Sequence, residues 1–140
     1  MTVARSYYDG ARTYYNWRAA TAGTTDGSFV SGDAPGTVCP QQWTLPTRTK
    51  YVNLITTTYG LSGADGSATI RSAPLDFVYT GTYDHSSGSM YLEGGYAYYW
   101  SRTANSASAV FYLGFGSAAV DPQHPGDRGY GFAIRCLAKP

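Results

Sequence analysis

A strict alternation of large apolar residues with small or polar ones marks the segment 111–116, whose sequence is FYLGFG. Successive side chains of a β-strand point to opposite faces of the sheet, so this period of two predicts a strand. We expect Phe111, Leu113 and Phe115 to face a hydrophobic core. The positions expected to face outward are Tyr112, Gly114 and Gly116.

Related patterns predict further strands on both sides of this segment. Residues 76–83 alternate, residues 94–103 are rich in aromatic side chains, and residues 131–137 form a mostly apolar run. Each of these three segments has the length and composition of a strand. Residues 117–128 are polar and contain two prolines, so we expect a loop there.

One helix is predicted, at residues 48–58. Thr47 is suited to be its N-cap, and Gly60 lies where a helix commonly ends. Spacing of i, i+3 and i+4 gives the segment an apolar face. The residues of that face are Tyr51, Val52, Leu54 and Ile55.

Two other segments complete the expected architecture. Residues 5–20 read as one or two short aromatic strands around an Asp9-Gly10 turn, and we expect this N-terminal strand to pair near the C-terminus. Residues 61–72 are small and polar, with a turn predicted at Asp65-Gly66.

The overall composition favours one ordered α+β domain spanning residues 1–140. The chain has 14 Tyr and 3 Trp, which supply apolar area for a core, and its net charge is +1. Without a basic stripe, a nucleic-acid partner is not expected. No apolar run approaches the roughly 18 residues of a membrane span.

The two cysteines, Cys39 and Cys136, are too far apart in sequence for a zinc knuckle or a redox CxxC motif. Two interpretations remain, a pair of buried thiols or a disulfide that ties the middle of the chain to its end. We favour the disulfide, because both cysteines border predicted elements. Such a bond would indicate an extracytoplasmic location.

Signals for catalysis are weak. His85 and His124 lie in polar segments, and only the adjacent Asp84 could make His85 part of a dyad. The chain has no nucleophile elbow and no metal-ligand spacing, and Asp121 and Asp127 are too isolated for a calcium loop. We therefore expect no enzymatic activity, no metal and no cofactor.

The three tryptophans have two possible roles. Trp43 and Trp100 border predicted elements, which favours core positions for both. Trp17 and exposed tyrosines are candidates for stacking on sugar rings. Exposed tyrosine also gives a large contact area at low entropic cost, as in antibody binding loops.

Four segments resemble a known bacterial surface domain. They are YYNWxAA at 14–20, CPxxWxLPT at 39–47, YWSxT at 99–103 and GFxxRC at 131–136. Together they resemble the Fibrobacter succinogenes major paralogous domain, which is similar to the C-type lectin fold of the formylglycine-generating-enzyme type. The resemblance implies a small twisted antiparallel sheet, one or two helices, long loops and a Cys39–Cys136 disulfide.

The chain departs from two groups of relatives. It lacks the Glu-Pro-Asn and Trp-Asn-Asp signatures of calcium-dependent lectins, which puts calcium-mediated sugar recognition in doubt. It also lacks the cysteine pair of the formylglycine-generating enzymes, so their oxidase chemistry is not carried over.

This fold class includes the variable proteins of diversity-generating retroelements, in which mutation of template adenines scatters Asn codons into many residue types. The tract 102–130 resembles such a scatter, within a frame of Trp100, Leu113, Phe115 and Phe132. The alternative is an ordinary loop region rich in Gly, Ala and Ser. The candidate variable positions are Arg102, Ala107, Ala109, Gly114, Gly116, Ala118, Ala119, Asp121, His124, Gly126 and Asp127.

These observations predict a ligand-binding module displayed outside the cell, on a cell or virion surface. Its ligand would be a protein or another cell-surface molecule, and the chain would be a monomer or part of a larger surface protein. The alternative is a non-variable bacterial adhesin or carbohydrate-binding domain with a glycan ligand. The predicted ligand-binding residues are Tyr98, Arg102, Ala107, Ala109, Tyr112, Gly114, Gly116, Ala118, Asp121, His124, Asp127 and Arg128.

Overall fold

The computed structural model describes residues 4–25 and 28–139, which form an α+β fold with mostly antiparallel strands and few helices. The predicted fold class is therefore confirmed at this level. The helices are α1 (Trp17–Ala20), α2 (Arg48–Val52), a π-helical segment (Asn53–Thr58) and α3 (Gly63–Ile70). The strands are β1 (Ser6–Tyr8), β2 (Thr13–Tyr15), β3 (Gly32–Asp33), β4 (Trp43–Thr44), β5 (Thr82–Asp84), β6 (Ser89–Tyr91), β7 (Tyr96–Ala104), β8 (Ala109–Gly116), β9 (Val120–Asp127) and β10 (Leu137–Ala138).

The central sheet has four antiparallel strands in the order β3, β7, β8 and β9. Its two longest neighbours, β7 and β8, confirm the strands predicted at 94–103 and 111–116. In their register Tyr99 lies opposite Leu113, and Tyr98 lies opposite Gly114. The remaining strands form the pairs β1–β2, β4–β10 and β5–β6.

One face of the central sheet packs against the helical segments. Leu113 and Phe115 are buried there together with Tyr51 of α2, as the alternation predicts. The prediction for Phe111 is wrong in degree, because this residue is only half-buried. The guanidinium group of Arg48 lies 4.7 Å from its ring centroid and covers it in place of apolar side chains.

The opposite face of the sheet is also covered, which corrects the expectation of an open outer face. Val110 and Trp100 are fully buried there in a second core with Trp17 and Phe132. Gly116, predicted to be exposed, is buried as well. The part of this face around Tyr96 and Tyr112 remains accessible.

Most of the segment 117–128 forms the edge strand β9, Val120–Asp127, so the loop predicted there is wrong over that range. Its prolines, Pro122 and Pro125, were the reason for that prediction. Proline is tolerated on an edge strand because the missing N–H would not be needed by a further neighbour. Strand β9 pairs with β8 on one side only.

The predicted helix at 48–58 is confirmed as α2 followed directly by the π-helical segment. The side chain of Thr47 accepts a hydrogen bond from the amide of Lys50 at 3.1 Å and caps the helix as expected. Tyr51 and Ile55 of the apolar face are fully buried, and Gly60 follows the helix at φ +61°.

Two helices were not predicted, α1 within the segment read as strand and α3 within the segment read as a polar turn. Helix α3 buries only Ile70 as a large apolar side chain, so it leaves no periodic signal in the sequence. Gly66 allows its close approach to the preceding chain. A Cβ atom at this position would lie 2.9 Å from the carbonyl carbon of Leu61.

The strands predicted at 76–83 and 131–137 are shorter than expected. In the first, only residues from Thr82 onward form a strand, β5. At Val78 the hydroxyl of Tyr99 takes the place of a neighbouring strand, since it contacts both the amide and the carbonyl at 3.1 Å. In the second, residues 131–133 make single bridges and the strand β10 begins at Leu137.

Two of the three tryptophans lie in environments opposite to those predicted. Trp100 is buried as expected, and its indole N–H donates to the carbonyl of Tyr15 at 2.7 Å. Trp17 is also fully buried, which excludes it as an exposed stacking platform. Trp43, expected in the core, is 47% exposed in the two-residue strand β4.

The C-terminal segment is joined both to the N-terminal hairpin and to the middle of the chain. Strands β1 and β2 form the predicted hairpin around Asp9-Gly10, and Tyr15 then pairs with Phe132, as expected.

A disulfide joins Cys39 to Cys136, which confirms the predicted bond and fits an extracellular protein. Among the described residues, no helix has the length and apolar composition needed to cross a membrane.

We expect the disulfide to make a large contribution to stability, because it closes a loop with a sequence separation of 97. Replacing both cysteines with serine should lower the free energy of unfolding by about 4–5 kcal/mol, measured by urea denaturation. The reduced wild-type protein should unfold at the same urea concentration as this variant. A change below about 1 kcal/mol would contradict the loop-closure argument.

Candidate functional site

A row of aromatic side chains lies on the accessible part of the second face of the sheet. Directly opposite residues in antiparallel strands point to the same side. Tyr98 of β7 therefore shares a face with Gly114 of β8, and Tyr96 shares it with Gly116. Tyr112 of β8 lies on the same face, 5.5 Å from the ring of Tyr98.

Glycines lie beneath the rings of this row. A Cβ atom at Gly114 would lie 2.8 Å from one edge of the Tyr112 ring, and a Cβ atom at Gly126 would lie 2.6 Å from the other edge. At Gly116 it would lie 2.7 Å from the ring of Tyr96. The tyrosines thus lie flat on bare backbone, in the manner of aromatic side chains that cover strand glycines.

A bulge in β9 adds a histidine and a carboxylate to the same face. Tyr112 lies opposite His124 and Gly114 lies opposite Asp121, so two steps on β8 match three on β9. His124 Nδ1 is 2.9 Å from Asp121 Oδ2, and its ring centroid is 5.4 Å from that of Tyr112. A carboxylate only accepts hydrogen bonds, so Nδ1 carries the proton in this contact.

Beside this face lies a cleft with a volume of about 500 Å³, which we call the aromatic cleft. Its floor is formed by Tyr98, Tyr112 and Phe132, and Tyr130 closes one side. The phenylalanine ring is 5.0 Å from that of Tyr98 and 4.8 Å from that of Tyr112. The other walls come from the β5–β6 hairpin, through Thr82, Asp84 and Tyr91, and from the end of β9, through Pro125, Gly126 and Asp127.

A second groove of about 570 Å³ lies next to the aromatic cleft, and Asp127 borders both. Residues of both the N-terminal hairpin and the β5–β6 hairpin line this groove. Tyr7 stacks on Tyr83 there, with ring centroids 4.2 Å apart, and Arg5 also lines the groove. His85 also lines this groove, with its ring edge-on to Tyr130 at 5.7 Å.

The environment of the cleft affects the tyrosines on its floor. Burial raises the pKa of Tyr98 above the ordinary value of the phenol, and the neighbouring Tyr96 and Tyr130 add to this effect. Burial also raises the pKa of Tyr112, and the nearby Tyr98 and Asp121 contribute. Both phenols are therefore neutral at physiological pH and able to donate hydrogen bonds.

The structure brings together half of the predicted ligand-binding residues. On the face described above lie Tyr98, Tyr112, Gly114, Gly116, Asp121 and His124. Asp127 lies at the rim of the aromatic cleft. The three alanines lie apart from it: Ala107 is exposed between β7 and β8, Ala109 is half-buried at the start of β8, and Ala118 is exposed between β8 and β9.

The two predicted arginines are both engaged in contacts within the fold. Arg128 is 7% exposed, lies 4.9 Å over the ring of Trp17, and donates to the carbonyls of Phe29 and Ser106. Its burial lowers the pKa of the guanidinium. The prediction of an exposed contact residue is therefore wrong for Arg128, because backbone carbonyls replace solvent around its charge.

Arg102 has a similar structural role at the other edge of the sheet. Its Nε donates to the carbonyl of Ala34 at 2.6 Å, and one terminal nitrogen donates to Thr44 Oγ1 at 2.8 Å. These contacts tie β7 to the segments that carry β3 and β4. The side chain is half-buried and engaged by the fold, and its role as a ligand contact stays a prediction.

The residues considered for catalysis are not arranged as a dyad. Within residues 4–25 and 28–139, no hydrogen bond joins Asp84 to His85. Asp84 Oδ1 instead accepts from the amide of Ser86 at 2.8 Å. The described part of the chain also contains no group of three or more His, Cys, Asp or Glu residues placed to hold a metal ion.

Several cleft residues were missed by the sequence analysis. Asp84 and Tyr91 enter the site because the β5–β6 hairpin folds over the sheet, and Tyr130 enters through the turn after β9. Asp84 and Gly88 flank a short polar turn, which is a hairpin signal. Tertiary packing determines which part of the sheet this hairpin contacts. The position of the hairpin beside the cleft therefore has no local signal in the sequence.

Comparison with known proteins adds no relative. No protein-family model, curated protein or solved structure matches this chain.

The contact between Tyr112 and Gly126 can be tested by a double-mutant cycle. Gly126→Ala should lower the free energy of unfolding by about 1–3 kcal/mol, because its Cβ atom displaces a packed ring. In a Tyr112→Ala background the same substitution should cost less than about 0.5 kcal/mol. Gly95→Ala is a matched control, since its Cβ atom would meet nothing closer than 4.0 Å. Equal costs in both backgrounds would show that the ring does not rest on Gly126.

Proposed function

We propose that this chain is an extracellular ligand-binding module of C-type lectin-like fold, and not an enzyme. Its ligand is a protein or another cell-surface molecule, bound in the aromatic cleft and on the adjoining face. The observation that carries this proposal is the cleft itself. Aromatic rings from separate parts of the chain converge there, next to residues that the sequence pattern selects independently.

Three features support the lectin-like fold. The N-terminal segment pairs with the C-terminal segment at Tyr15 and Phe132. The disulfide joins Cys39 to Cys136 as the resemblance implies. A small antiparallel sheet, short helices and long irregular connections complete the likeness.

The cleft has the chemistry of a preformed binding site. Tyrosine contributes a large contact area and loses little conformational entropy on binding. Here the rings of Tyr98 and Tyr112 are already held by Phe132, so their ordering cost has been met during folding. We expect the binding free energy to be concentrated on such residues.

We propose further that the exposed positions around this site are diversified between copies of the gene. The residues that the sequence analysis assigned to the frame, Trp100, Leu113, Phe115 and Phe132, are all buried. Exposed candidates have room to change, and among these are Ala107, Ala118, Ala119 and His124. Gly114, Gly116 and Gly126 lie under tyrosine rings and can change only if those rings move.

A second candidate function is a dedicated adhesin that binds a carbohydrate. Tyr91 at the rim of the cleft is 48% exposed, and Asp84 and Asp127 line the same cleft. An aromatic face beside carboxylate acceptors suits the apolar face and the hydroxyl groups of a sugar. Trp17 has no part in this alternative, because it is fully buried.

Binding is tested by titrating the labelled domain onto a panel of bacterial cells and onto a glycan array, with and without a calcium chelator. We expect saturable binding to cells, and we expect the calcium chelator to leave the affinity unchanged. Tyr91→Ala should weaken it at least about tenfold, because the ring borders the cleft.

Tyr59→Ala serves as the control, since Tyr59 is 39% exposed and lies outside the cleft. Defined hits on the glycan array that depend on Tyr91 would favour the carbohydrate-binding alternative. Equal loss of binding in both tyrosine variants would argue against the cleft as the site.

Diversification is tested by deep sequencing of this gene in its native population. Substitutions should accumulate at the exposed candidate positions and spare the four buried frame residues. Changes at Gly114 or Gly126 should accompany changes at Tyr112, because the ring occupies the space of their Cβ atoms. A tract as constant as the rest of the chain would favour the dedicated adhesin.

A further inference from the structure

The aromatic cleft carries two carboxylates at its edge. Asp84 reaches it from the β5–β6 hairpin, and Asp127 reaches it from the end of β9. Each uses Oδ1 for a local turn, since Asp84 accepts from the amide of Ser86 at 2.8 Å and Asp127 accepts from that of Gly129 at 2.7 Å. Among the hydrogen bonds of the described residues, neither Oδ2 atom has a partner.

Within residues 4–25 and 28–139, no cation forms an ion pair with these carboxylates. None of the described residues that line the cleft is Lys or Arg. Arg128 directly follows Asp127 in sequence, yet its guanidinium turns away to the ring of Trp17 and to backbone carbonyls. Within the described residues, neither Asp84 nor Asp127 forms an ion pair.

The tyrosine rings of the cleft are a second feature that favours a positively charged ligand group. The face of a tyrosine ring attracts a cation, and the interaction strengthens as water is excluded. Four arginines of this chain lie over aromatic rings at 4.1–4.9 Å from the centroid, but all four rings are outside the cleft. The tyrosines of the cleft are therefore free to receive a cation from another molecule.

We infer that the aromatic cleft receives a basic side chain, arginine or lysine, from a protein ligand. This inference rests on the proposed function and names the chemistry of its central contact. The aliphatic stem packs against the rings of Tyr98 and Tyr112, and the charged end reaches Asp84 and Asp127. The free Oδ2 atoms accept N–H donors, which both basic side chains supply.

The test uses three small probes: Nα-acetyl-arginine amide, Nα-acetyl-lysine amide and the neutral isostere Nα-acetyl-citrulline amide. Binding to the intact disulfide-bonded protein is followed by NMR chemical-shift changes at the cleft residues. We expect saturable binding of the two cationic probes at millimolar concentration and binding of the citrulline probe that is at least about tenfold weaker. Raising the salt concentration should weaken the cationic probes only.

Two matched variants locate the charge effect. Asp84→Asn and Asp127→Asn each keep an Oδ1 acceptor for the local turn, so the fold should persist. Each should weaken binding of the arginine probe about threefold, and the double variant about tenfold. Asp65→Asn removes the same charge from helix α3, outside the cleft, and should have no effect.

The inference is overturned if citrulline binds as tightly as arginine, or if the two cleft variants bind the arginine probe as the wild type does. When no probe binds but cells or glycans still bind in a Tyr91-dependent manner, the basic side chain is excluded and the binding function stands. When no probe binds to the protein, and its binding to cells and glycans does not depend on Tyr91, the proposed function fails as well.

Discussion

The antiparallel pairing of β7 with β8 is the interaction on which the rest of the structure depends, because each face of these two strands contributes to a separate core. Leu113 belongs to one core, and Trp100 and Val110 belong to the other. A slip of one residue would exchange the side chains of the two faces, so both cores fix the register. That register places Tyr98 opposite Gly114 and thereby sets the floor of the cleft.

The parts of the fold that could be predicted are those determined by neighbours in sequence. The alternation at 111–116, the N-cap at Thr47 and the turn at Asp9-Gly10 each depend on contacts within a few residues. The same locality explains why half of the predicted site residues share one face. Four of them, Tyr98, Tyr112, Gly114 and Gly116, lie on strands that the pattern already identified, and alternation alone assigns Tyr112 and Gly114 to the same side. Asp121 and His124 lie on β9, where no strand was predicted.

The parts that could not be predicted depend on contacts distant in sequence. Trp17 is covered by Arg128, which lies near the other end of the chain, whereas Trp43 lies in a two-residue strand near the surface. A charged residue is normally exposed, so nothing local indicated that Arg128 would be enclosed by carbonyls. The edge strand β9 was not predicted, because prolines in a polar segment indicate a loop. Proline excludes only the interior positions of a sheet, and the position of a strand at an edge depends on distant contacts.

The same aromatic rings both close the second core and line the cleft, and this double role limits how the site can change. Tyr112 contacts the buried Phe132 on one side and leaves no space for a Cβ atom at Gly126 on the other. A rigid centre of this kind gives affinity because little order is lost on binding. Specificity can then be altered only at the rim, where side chains do not support the fold. Under the proposed binding function, the cleft would therefore keep the shape of its centre while the residues around it vary.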